Sequence, residues 1–245
     1  MPNEAKQESS ANEIFARIAI CVERGKINRP SSHPPDMKGQ LGACELVQNA
    51  LKSGIPPNDL LIQGLMVGMK NIGYKFRENL VFVPDVLLAA KVMRAAMVYL
   101  KPYFQSGMVR RQGSFVAGTV SGDLHDVGKN LVLMGIEGAG WEVVDLGVDV
   151  PTQKFMTAIE NHPGCAVGLS ALITSTMTSM EKTVKAIKSV FPHTKVLVGG
   201  APLTHDFAAM IGADFYSPDF QGAVEYLEIS FPRIITQPSS PTPSK

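Results

Sequence analysis

Cysteine is scarce in this chain. Cys21, Cys44 and Cys165 are odd in number, far apart and without CxxC spacing. That pattern argues against a disulfide framework or a zinc knuckle, and for small buried hydrophobes in a reducing cytosol. Charge is scarce too: 18% of residues are charged, with 23 Lys plus Arg against 22 Asp plus Glu. A net charge of +1 and no basic stripe give nucleic acid no electrostatic reason to bind. No uncharged apolar run approaches the roughly 18–20 residues that cross a bilayer. The first twelve residues are polar and lack an apolar h-region, so no signal peptide is read and a cytoplasmic location is expected. What the chain does have is apolar material, 45% of its 245 residues, enough for a real core in one or two domains.

The pattern changes near residue 110. Residues 13–107 read as helical throughout. One face of Ala11–Glu23 carries Ile14, Ile18 and Val22, and residues 43–53 carry Leu46, Val47 and Leu51. Asp59 is an expected N-cap for a helix with Leu61, Leu65, Met69, Ile72 and Phe76 on one stripe. Pro84 suits the first turn of a fourth helix. These make a four-helix bundle, with a Pro-rich surface loop at 28–42 between the first two. A polar connector at 108–113 follows. From 114 to 232, strands are read at 114–119, 142–146, 166–170, 195–198 and 214–216, alternating with five helices. Five such units imply an α/β fold with a five-stranded, doubly wound parallel sheet of flavodoxin-like, Rossmann-like type. Residues 1–12 are expected to be flexible, and the Pro/Ser tail at 233–245 disordered.

The most informative run is Gly118-Thr-Val-Ser-Gly122-Asp123-Leu124-His125-Asp126-Val127-Gly128-Lys-Asn130. It reads as an apolar strand, a glycine-bounded loop and a helix start, the place where open α/β sheets bind ligands. Neutral imidazole suits a borderline transition metal, and a carboxylate two residues away can fix its tautomer and raise its basicity. Small hydroxyl residues crowd the end of the third strand, in Gly168-Leu-Ser170-Ala-Leu172-Ile-Thr174-Ser-Thr176. There Thr174 or Thr176 is a candidate helix cap, a role compatible with a ligand contact. Gly199-Gly200 after the fourth strand permits close backbone approach. Gly135, Gly138 and Gly140 fall at a helix end and read as C-cap punctuation. Apolar residues from Phe76 to Val86, on their own, read as core.

As an ordered set, Asp123-x-His125-x-x-Gly128, Ser170-x-Leu172 and Gly199-Gly200 resemble the cobalamin-binding module of corrinoid-dependent methyltransferases. The likeness spans residues 13–230 and is similar to the corrinoid proteins of methanol, methylamine and methoxyaromatic systems. Cobalamin-dependent methionine synthase carries a similar helical-plus-α/β pair. The run Gly64-Leu-Met-x-Gly68-Met-x-x-x-Gly73-x-x-Phe76 looks like that family's cap helix, and Phe82-Val83-Pro84 like the start of the next.

The resemblance implies that His125 is the lower axial ligand to cobalt, displacing the cofactor's own benzimidazole. Asp123 would hold it and Thr176 would extend the relay. A proton taken up by this set would favour release of the metal. Gly122, Leu124, Asp126, Val127, Gly128, Ser170, Leu172, Thr174, Gly199, Gly200 and Phe220 would contact the cofactor. Phe220 stands where the family often has a small residue. Phe76, Phe82, Val83 and Val86 would cover the upper, methyl-bearing face, and the helical half would swing on the connector. The function implied is methyl carriage on cobalt between a substrate methyltransferase and an acceptor methyltransferase, with a reductive activase as third partner. A cobalamin-based sensor is the alternative, though such regulators usually add a DNA-binding helix-turn-helix. A mutase subunit would be expected to accompany a substrate barrel. A flavin-binding domain would leave Asp123 and His125 without a purpose.

Overall fold

The computed structural model describes residues 2–232. Helix α1 (Pro2–Glu23) starts the chain, followed by α2 (Ala43–Lys52), the short α3 (Pro57–Asp59), a π-helical stretch (Leu60–Leu65), α4 (Met66–Arg77) and α5 (Val83–Gln105). Because α3, the π-helical stretch and α4 run on without a break, these elements form four rods, as the periodicity predicts. The first rod is longer than expected: residues 2–12, read as flexible, continue α1. The third begins at Pro57, with Pro56 and not Asp59 at the cap position.

Local chemistry explains these ends. Glu45 reaches back to the backbone N–H of Gly42 at 3.0 Å, and Asp85 to that of Phe82 at 2.8 Å; each supplies an acceptor for a helix-start donor. The Pro-rich loop is tied down as well. Arg24 donates two bonds to Asp36, at 2.6 and 2.9 Å, and the buried Lys26 ammonium donates to Ser31 O at 2.7 Å.

The second half begins with β1 (Ser114–Thr119). It continues through α6 (Val127–Gly138), β2 (Glu142–Asp145), α7 (Thr152–Asn161), β3 (Ala166–Ser170), α8 (Met177–Val190), β4 (Val196–Gly199), α9 (His205–Ile211), β5 (Phe215–Tyr216) and α10 (Phe220–Ser230). All five strands are parallel, in the order β2-β1-β3-β4-β5. The order reverses between β1 and β3, so the loops after those two strands splay apart and leave a crevice at their C-terminal ends. Thr119 pairs with Ser170 at that edge.

Two apolar cores flank the sheet. One lies under α7, α8 and α9, around Phe155, Met180 and Val198. The other is continuous with the helical half: Leu65, Met69 and Leu100 belong to the same cluster as Phe115, Ile136 and Phe220. Burying apolar surface across this boundary stabilises the docked arrangement at about 25 cal/mol per Å². Gly135 and Gly138 serve this contact and are not C-cap residues. A Cβ at Gly135 would lie 2.4 Å from Phe220 Cδ2, and one at Gly138 would lie 2.7 Å from Met69 Cγ. Charged pairs frame the same boundary. Arg77 binds both carboxylate oxygens of Asp219 at 3.1 Å and Glu225 at 3.0 Å, Lys70 meets Glu228 at 3.1 Å, and Arg94 meets Glu137 at 2.7 Å. The connector at 108–113 is itself anchored, with Val109 buried and Gln112 N–H donating to Gly140 O at 3.0 Å.

Candidate cobalamin site

The loop between β1 and α6 carries the site. Gly122 adopts a left-handed backbone (φ +87°), which turns the chain so that the next side chain points inward. That side chain is Asp123, fully buried. Its Oδ1 takes the backbone N–H of His125 at 3.0 Å and ring Nδ1 of His125 at 2.8 Å. Its Oδ2 takes the Leu172 N–H at 2.7 Å and the Thr176 hydroxyl at 3.0 Å. Burial alone would raise this carboxyl's pKa. The donors from Leu172, His125 and Thr176 outweigh that effect and hold it well below the usual carboxylate range. An ionised carboxylate can only accept, so Nδ1 carries a proton, and in the neutral ring Nε2 is the nitrogen with the lone pair.

The imidazole is 54% exposed and sits at the mouth of a cavity of about 610 Å³ between α6, α10 and the C-terminal edge of the sheet. Leu124, Asp126, Val127 and Gly128 line its entrance, with Ser170, Leu172, Gly199 and Gly200 on the β3 and β4 side. Phe115, Ala117 and Leu197 line its depth. Phe220 closes one end, 5.4 Å between ring centroids from Phe76 of the helical half. Leu124 and Val127 are 72% and 68% exposed beside the imidazole, apolar surface that a planar apolar ligand would cover. These features fit cobalamin: one outward ring nitrogen beside a carboxylate-held Nδ1, an apolar rim, and a deep channel beside it.

The structure does not bring every expected residue to this place. Thr176 is buried, and its hydroxyl, which also reaches Ile173 O at 2.8 Å, serves Asp123 and does not cap α8. Thr174 is exposed at the start of a 3-10 turn, outside the cavity lining. Phe76 lines the cavity. Phe82 is 71% exposed and Val83 partly so, both away from the cavity wall, and Val86 is fully buried in the helical core.

Sequence reading passed over two other groups. The buried Lys129 ammonium binds both oxygens of Asp145 at 2.7 Å and Asn130 Oδ1 at 2.9 Å, fixing the start of α6 to the end of β2. Asp149, after β2, binds the loop at Gly122 N–H at 2.7 Å. The signal for Asp149 was the glycine and second acid in Asp145-Leu-Gly-Val-Asp149, directly after a strand.

The chain is similar over most of its length to proteins of known role. Residues 113–224 match one B12 binding domain model, and residues 40–101 match a second model of that description. Trimethylamine corrinoid protein 1 of Methanosarcina acetivorans is 36% identical over 178 residues, 71% of this chain and 82% of the relative. The chain belongs to the corrinoid proteins of methyltransferase systems. Dimethylamine corrinoid protein 3 of the same organism is 35% identical, covering 74% of this chain and 85% of its own length. Among solved structures, the methanol:cobalamin methyltransferase complex of Methanosarcina barkeri superposes with a TM-score of 0.74 at 26% identity, covering 89% of this chain and 79% of that one. A cobalamin-binding protein of Desulfitobacterium hafniense gives 0.65 at 31% identity, covering 76% and 89%. As a member of this family the corrinoid protein is a methyl carrier whose cofactor is cobalamin. The sensor reading finds no support among these relatives. No helix among the described residues is long and apolar enough to cross a membrane.

Proposed function

We propose that this corrinoid protein takes a methyl group from a substrate-specific methyltransferase and delivers it to an acceptor methyltransferase, with His125 as the protein ligand beneath cobalt and the nucleotide tail in the channel beside it. The observation that carries the reading is the pairing of a fixed Nδ1–H with a free Nε2 at the crevice between β1 and β3. When bound, cobalamin supplies the metal centre that accepts and releases the methyl group.

The chain's own residues set the terms. Asp123 keeps its charge and holds the proton on Nδ1, so His125 offers a neutral, basic Nε2. A proton arriving at Nε2 removes that lone pair, and the Asp123 carboxylate stabilises the imidazolium left behind. The Thr176 hydroxyl and the Leu172 N–H keep the carboxylate in place in both states. Leu124, Val127 and Leu172 form an apolar rim that excludes water once covered. Phe82 and Val83 belong to the proposed upper cover and reach it after the helical half shifts about the connector at 108–113, a hinge-type movement. The names of the relatives support a methylated amine or methanol as the class of methyl donor. A reductive activase is the third partner, and three free, buried cysteines suit a reducing cytoplasm.

Anaerobic reconstitution with cobalamin tests the reading. The unpaired-electron spectrum of the Co(II) protein shows splitting from one protein nitrogen, which labelling of histidine with ¹⁵N alters and His125→Ala abolishes. A wild-type spectrum with benzimidazole nitrogen still on cobalt overturns it.

A further inference from the structure

Asp149 lies outside the cavity lining, on the loop after the neighbouring strand, yet its carboxylate and backbone are built into the loop that carries His125. Its Oδ1 accepts the Gly122 N–H at 2.7 Å and the Ser121 hydroxyl at 3.2 Å. Its own N–H donates to Asp123 O at 2.9 Å. The residues on either side extend the contact, with Thr119 N–H on Gly147 O at 3.0 Å and Val150 N–H on Thr119 O at 2.9 Å. Thr119 in turn donates its hydroxyl to His125 O at 2.9 Å.

Asp149 makes these bonds from a left-handed backbone (φ +50°), a conformation uncommon outside glycine and tolerated best by Asn and Asp. Strain of this kind persists only where the surroundings over-determine it. The bond to Gly122 N–H fixes the peptide plane between Ser121 and Gly122, one residue before the buried Asp123. If that plane rotates, Asp123 is displaced from the Leu172 and Thr176 donors, and His125 turns with it.

We propose that Asp149 is a positioning residue for His125: it locks the Ser121–Asp123 turn so that Nε2 faces the cofactor, and acts on the metal only through that turn. This rests on the reading of His125 as the cobalt ligand. It goes beyond that reading by placing part of the control in a different β/α unit.

Two variants separate positioning from a plain turn role. Asp149→Gly accepts the left-handed backbone without strain but removes the carboxylate. Asp149→Asn keeps both an acceptor oxygen and tolerance of the conformation. In the apo chain, amide exchange at Gly122 speeds up in Asp149→Gly and stays near wild type in Asp149→Asn. With cobalamin, Asp149→Gly loses about 10-fold in affinity, the lower end for partners that orient a metal ligand, and its Co(II) spectrum shows a diminished protein-nitrogen splitting. Asp149→Asn restores both. Wild-type affinity and splitting in Asp149→Gly, or failure of Asp149→Asn to restore them, overturns the inference while the ligand reading stands. Absence of the nitrogen splitting in wild type overturns the ligand reading first, and the Gly122 exchange rates still report whether Asp149 holds the turn.

Discussion

Asp123 Oδ1 binds His125 twice, at the backbone N–H (3.0 Å) and at ring Nδ1 (2.8 Å), so one buried oxygen fixes both the path of the loop and the tautomer of its imidazole. The other oxygen is held from β3 by Leu172 and Thr176. The imidazole is therefore aimed by two strands at once, and its direction depends on their spacing in the sheet.

Thr176 is the side chain that completes this arrangement. Thr176→Val keeps the shape but removes one donor from a buried carboxylate, at a cost of about 1–2 kcal/mol. Cobalamin affinity falls about 10-fold as His125 loses its anchor. Thr176→Ser retains the hydroxyl and stays near wild type. Chemical denaturation and cobalamin titration of the three proteins check this, and equal affinities in Val and Ser would remove Thr176 from the relay.

Two glycines of the cavity wall give opposite outcomes. A Cβ at Gly200 (φ +138°) would lie 1.8 Å from Ala171 O, so Gly200→Ala shifts backbone at the end of β3 and costs at least about 3 kcal/mol. A Cβ at Gly128 meets no heavy atom within 4 Å. Gly128→Ala, in the first turn of α6, leaves stability unchanged or raises it by up to about 1 kcal/mol. It nevertheless weakens cobalamin binding, because it places a methyl group in the entrance. Melting curves with cobalamin titrations on both variants distinguish the two sites.

Arg77 links the helical half to the rim of the channel, because its partner Asp219 both lines the cavity and caps α10 at Gly222 N–H. Arg77→Ala removes these charged hydrogen bonds, worth about 1–3 kcal/mol in this partly exposed setting and less at high salt. Limited proteolysis then cuts faster in the connector at 108–113. An unchanged cutting rate would show that the apolar boundary alone holds the two halves together.

Asp214, at the start of β5, gives an acid-sensitive contribution remote from the site. Burial raises its pKa, but the Lys188 ammonium, the Val196 N–H and Lys195 together bring it below the usual value. A carboxyl depressed in the folded state stabilises the fold at pH above its unfolded value, near 4. That stability is lost as pH falls from roughly 5 through the lower folded value. Asp214→Asn is less stable than wild type at neutral pH, and the gap narrows in acid. Denaturation midpoints at neutral pH and near pH 3 check the sign.

Much of this was legible in order along the chain. Short apolar runs bounded by glycine and polar residues located β1 and β3 to the residue, and helical periodicity located the four rods to within a turn except at the start of α1. Gly122-Asp123-x-His125 marked the loop that carries the imidazole–carboxylate pair because its members are close in sequence. Residues whose role rests on a distant partner were not legible from periodicity or spacing, and those the resemblance did not supply were missed. Val86 belongs to the same apolar run as Phe82, yet one lies in the helical core and the other in solvent, because the direction of α5 is set by its packing on α2, α4 and α6. Gly135 and Gly138 read as helix punctuation, since their neighbours Phe220 and Met69 come from other elements.

By itself, then, the sequence determined the succession of elements, the parallel sheet and the imidazole–carboxylate pair, all of which follow from local periodicity and short spacing. Thr176 came from the resemblance, and only the tertiary structure decided that Asp149 and Arg77 join it around that pair and its channel. The strand order β2-β1-β3 places the ends of three separated segments side by side, and a one-dimensional pattern holds no record of which neighbours the fold will supply.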